Sequence, residues 1–65
     1  MTKEIQLTNE QFNLIIPFIQ KCEKPGKLSV GMNRKTYGGL ITLNGTFEEI
    51  ELFSSILENN GFPSN

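Results

Sequence analysis

The chain has 65 residues, with seven acidic side chains against six basic ones for a net charge of −1, a single cysteine and no histidine. That length allows one domain. The composition excludes an internal disulfide and argues against a metal centre, and for catalysis it leaves only Glu, Lys, Tyr37 and Cys22.

The opening "MTKEIQLTNEQ" has no apolar run behind a basic start, so no signal peptide is expected. The longest apolar segment, "FNLIIPFI", is broken by Asn13 and Pro17 and is too short for a membrane span. A lone cysteine without an export signal fits a reducing compartment, so a cytoplasmic protein is expected. "KEIQL" alternates and reads as a short strand with Ile5 and Leu7 inward. Thr8 and Gln11 have the spacing of a capping box, and Leu7 and Phe12 that of a hydrophobic staple. Phe12, Ile15, Ile16 and Ile19 then recur at three- and four-residue steps, which predicts a helix. Pro17 removes a hydrogen bond to Asn13 and is expected to kink or interrupt that helix. Lys21 and Lys24 suit its C-terminal end, and Pro25-Gly26 stops it.

"KLSVGM" alternates with Leu28, Val30 and Met32 on one face, the pattern of a half-buried strand. "NRKT" reads as a polar turn, and "YGGLITL" as the returning strand with Ile41 and Leu43 inward. Asn44-Gly45 turns the chain into a second helix. Thr46 and Glu49 form another capping box, and Gly61 with Phe62 supplies the C-terminal stop. The order β-α-β-β-α predicts a single α+β domain over residues 1–65, with a short tail at 61–65. The expected architecture is a three-stranded mixed sheet, its first two strands parallel through the helical crossover, with both helices on one face.

Two features bear on function. In the second helix Phe47, Ile50, Leu52, Phe53, Ile56 and Leu57 cover more than half of the helical wheel, wider than one sheet-facing stripe requires. Leu52 and Ile56 are therefore candidates for a protein interface, with Leu40 on the outer sheet face as a further contact. A domain this small buries only ~60% of its unfolded surface, which favours self-association. The second feature is "KCEKPGKLSVGMNRKTYGG", which holds Lys21, Lys24, Lys27, Arg34 and Lys35 against the single acid Glu23. Within it, Arg34, Lys35, Tyr37, Gly38, Gly39 and Lys27 could bind an anion, the glycine N–H groups forming a cradle. Against that reading stand the acidic pI of about 5.2 and the turn-rich nature of the segment.

The leading expectation is a small non-enzymatic binding protein, a homodimer or higher oligomer that meets another protein as a regulator or inhibitor. Compact chains of this kind suit phage and other mobile elements. The alternative is a nucleic-acid or nucleotide binder using the basic hairpin 33–39. Neither reading calls for a cofactor or a metal.

Overall fold

A computed structural model describes all residues, Met1–Asn65. Five elements follow in the expected order: β1 (Thr2–Leu7), α1 (Asn9–Lys21), β2 (Ser29–Lys35), β3 (Gly38–Asn44) and α2 (Phe47–Asn59). They build a small α+β domain. No helix is long and apolar enough to cross a membrane.

The sheet order is β1-β3-β2, and both neighbouring pairs are antiparallel. β1 and β2 do run in the same direction, as the helical crossover requires. They are not neighbours, because β3 inserts between them, so the sheet is antiparallel and not mixed. The reason lies in composition. β3 is buried or half-buried from Gly38 to Leu43, whereas β1 carries Lys3 and Glu4 and β2 carries Arg34 and Lys35. Charged side chains suit edges, and a near-continuous apolar run suits the centre.

The hairpin also differs from expectation. β2 continues through Asn33, Arg34 and Lys35, which pair with Leu40, Gly39 and Gly38, so only Thr36 and Tyr37 turn the chain. The two glycines make this possible. Gly38 has φ +111°, and a Cβ there would strike the Leu7 carbonyl. A Cβ on Gly39 would run into the Phe12 ring. A positive-φ glycine directly after the turn residues is a recurrent way of closing a short hairpin. Gly39 in turn lets α1 sit close to the sheet.

Both helices cover one face of the sheet. Ile5 and Leu7 of β1 and Ile41 and Leu43 of β3 meet Phe12, Ile15 and Ile19 of α1 and Ile50, Phe53 and Leu57 of α2 in a single core, with Leu28 at its margin. Both capping boxes form, Thr8 with Gln11 and Thr46 with Glu49. α1 is one continuous helix despite Pro17, whose ring is exposed. Asn13 is exposed too, so the carbonyl that loses its bond to Pro17 has access to water. Lys24 Nζ donates to the Ile19 carbonyl at 2.8 Å, satisfying one free group at the helix end. α2 ends in a Schellman arrangement, with Phe62 N donating to Leu57 O, Gly61 N to Glu58 O, and φ +84° at Gly61. This folds Phe62 onto Phe18, ring centroids 5.2 Å apart, so the tail packs against the core.

Candidate binding surfaces

Two surfaces correspond to the two readings of the sequence. The first lies at the hairpin end of the sheet. Lys35 and Tyr37 border a shallow groove of about 500 Å³ that Glu4, Gln6, Thr8 and Leu40 also line. Tyr37 is 90% exposed at the turn. Alternation along the register places Glu4, Gln6, Leu40, Thr42, Gly31, Asn33 and Lys35 on the sheet face that no helix covers.

The expected anion-binding residues are not all gathered there. Arg34 points to the opposite, helix-covered face, where its Nη2 donates to Asn13 Oδ1 at 2.7 Å and its guanidinium lies 4.8 Å from the centroid of the Phe12 ring. Gly38 N–H donates to Asn9 Oδ1 at 2.9 Å, and Gly39 is buried between Leu7, Arg34 and Phe12. Lys27 precedes the far end of β2, and its backbone N–H is held by Glu49. Of the six, Lys35, Tyr37 and the buried Gly39 therefore line the groove, only the first two of them exposed, and Glu4 shares it with them.

Asn9 and Asn13 are the residues that sequence reasoning missed. They sit four apart on α1 and both accept from the hairpin, which fixes its end against the helix. Their i, i+4 spacing was the available signal. Lys3 was missed as well. It shares the covered face with Ile5 and Leu7, and its Nζ donates to the buried Ser54 Oγ at 3.0 Å. A serine in the apolar stripe of α2 marks that pairing.

The second surface is the helical layer. Leu52 is 54% exposed and Ile56 is half-buried against the core. Leu14 of α1 and Phe47 of α2 are also more than half exposed, at 65% and 59%. Leu40, half-buried, lies on the open sheet face where alternation put it, and so on the opposite side of the sheet from Leu52 and Ile56. Cys22 is half-buried, its Sγ donating to Ile19 O, and no cluster of three or more Cys or Glu side chains is gathered in one place.

One carboxylate ties the two turn regions at the far end together. Glu49 Oε1 accepts from Thr46 N–H at 2.9 Å and Oε2 from Lys27 N–H at 2.8 Å. These backbone bonds, Thr46 first and Lys27 second, hold its pKa below the usual glutamate value. The clamp joins the α1–β2 loop to the start of α2. Comparison with protein-family models, with curated proteins and with solved structures finds no match for this chain.

Proposed function

We propose that the chain is a small non-enzymatic binding protein, a self-associating regulator or inhibitor that contacts another protein through its helical layer. The observation that carries this reading is the exposure of Leu14, Phe47 and Leu52 on two helices whose inward residues already close the core. Large apolar side chains that the fold does not use are candidate anchors for a partner. The anion-binding alternative draws on Lys35 and Tyr37 at the groove. Its support is thinner, since Arg34 and the Gly38 N–H have partners within the fold and Glu4 would repel an anion at the same groove.

The test is native mass spectrometry of complexes purified gently from producing cells, comparing the natural chain with Leu52→Glu and with the double variant Lys35→Ala plus Tyr37→Ala. A protein retained by the natural chain and the double variant but lost with Leu52→Glu is the expected result. A nucleotide or oligonucleotide retained by the natural chain and lost with the double variant would overturn it. Binding of that kind would also weaken steeply with salt.

A further inference from the structure

Gly31 stands apart from the other glycines. Gly26, Gly38 and Gly61 have positive φ, and a Cβ on Gly39 or Gly45 would collide with Phe12 or Glu49. Gly31 has neither constraint. It lies mid-strand in β2, and a Cβ there would meet only Thr42, at an ordinary 3.8 Å. Glycine weakens a strand and often marks a bulge, a bend or a place where a ligand or another backbone comes close, and the unbroken β2–β3 register through Gly31 leaves no bulge there. Its missing side chain would stand on the open sheet face, beside Thr42.

The charges on that face are arranged for a copy of itself. Glu4 pairs with Thr42, and Lys35 with Gly38, each two residues from Leu40 along β3 in opposite directions and on strands flanking it. Leu40 is therefore the midpoint between the acid and the base. A two-fold axis that passes over Leu40, parallel to the sheet and perpendicular to the Glu4–Lys35 diagonal, sets Glu4 of one copy against Lys35 of the other, and the reverse. It stacks the two Leu40 side chains and brings the two Gly31 positions near the axis. The strands of the two sheets then cross at a steep angle, one of the two ways in which sheets pack. Isologous contacts of this kind are the commonest basis of dimers.

We infer that a second copy of this chain packs on the open sheet face, across Leu40 and Gly31, leaving both helical layers outward. The inference rests on the binding reading above and assigns each face its occupant: the sheet for self, the helices for the partner. The patch is small, three strands ~4.8 Å apart and six or seven residues long, so the dimer is weak and concentration-dependent.

Sedimentation from micromolar to millimolar chain tests it. The natural chain should pass from monomer to dimer. Gly31→Val should stay monomeric over the same range while its thermal unfolding midpoint is unchanged or higher, which separates loss of assembly from loss of fold. Glu4→Lys or Lys35→Glu alone should raise the dissociation constant about tenfold or more, and the two together should restore it. Leu52→Glu should leave it unchanged. A natural chain that is monomeric throughout, a Gly31→Val variant that dimerises normally, or dissociation by Leu52→Glu would each overturn the inference. A monomeric natural chain that still shows Leu52-dependent capture of a protein sinks this inference, and self-association with it, and leaves the partner reading standing. An intact sheet-face dimer without such capture sinks the partner reading alone.

Discussion

The two faces of the sheet obey different rules. On the covered face, Ile5, Leu7, Ile41 and Leu43 are almost wholly buried, and each departure from apolar character there has an assigned neighbour. Lys3 reaches Ser54, and Arg34 reaches Asn13 across the Phe12 ring. Gly39 is cut back to admit that ring. On the open face the polar residues need only water, Leu40 is left half-buried, and Gly31 has no close contact of the kind that fixes Gly39. Irregularities on the covered face are thus explained by folding, and those on the open face are the ones the inferred dimer would use.

Substitutions at adjacent positions of β3 put that contrast to its strongest test. Ile41→Ala removes a fully buried side chain from the covered face and should cost about 2–5 kcal/mol. A domain of this size holds only ~3–5 kcal/mol in all, so urea denaturation should find the variant largely unfolded. Leu40→Ala, one residue away but half-buried on the open face, should cost under ~1 kcal/mol at concentrations where the chain is monomeric. Equal losses would mean that the open face is part of the core. Next in size is Gly39→Ala. Its Cβ meets the Phe12 ring, and overpacking of that kind costs about 1–3 kcal/mol, seen as a lower urea midpoint with an unchanged slope.

Much of this division was legible in the sequence. The capping residues Thr8 and Thr46, the Gly61 stop and the inward set Ile5, Leu7, Ile41 and Leu43 follow from local spacing, because caps and period-two alternation are short-range signals. The strand order was less accessible, since it depends on which strand tolerates burial on both sides. The run "GGLITL" between two charged strands carried that information. The hairpin was misjudged because Asn33, Arg34 and Lys35 look like turn residues. Pairing with Gly38 and Gly39 overrides their polarity, and the cation–π and amide contacts of Arg34 come from Phe12 and Asn13 of α1, distant in sequence. Positive charges adjacent in sequence were split between faces by alternation, which is why the anion-binding set did not assemble as one site.

The clamp at the far end of the sheet offers a smaller effect with a defined pH dependence. Glu49 has a lowered pKa in the folded chain because Thr46 and Lys27 N–H groups bind its charged form. Its contribution is therefore complete above the ordinary value of 4.5 and is lost as pH falls through the lower folded value. Glu49→Gln should reduce stability at neutral pH and flatten the acid limb of a plot of urea midpoint against pH. A variant at Glu49 with an unaltered acid limb would show that Lys27 is held by its loop alone.

The smallest expected change is the most discriminating between the two faces. Gly31→Ala adds a Cβ at ordinary contact distance from Thr42, at a position without positive φ, and it narrows the unfolded ensemble. The monomer should gain about 0.5 kcal/mol, measured at concentrations too low for association, whereas the same change at Gly39 is destabilising. A gain at Gly31 means that the chain carries a residue worse for its own fold than alanine. That is the cost expected of a position kept small for the second copy inferred above. A loss at Gly31 would instead return this glycine to the covered-face rule, with an internal constraint on β2, and would remove the structural reason for expecting close approach there.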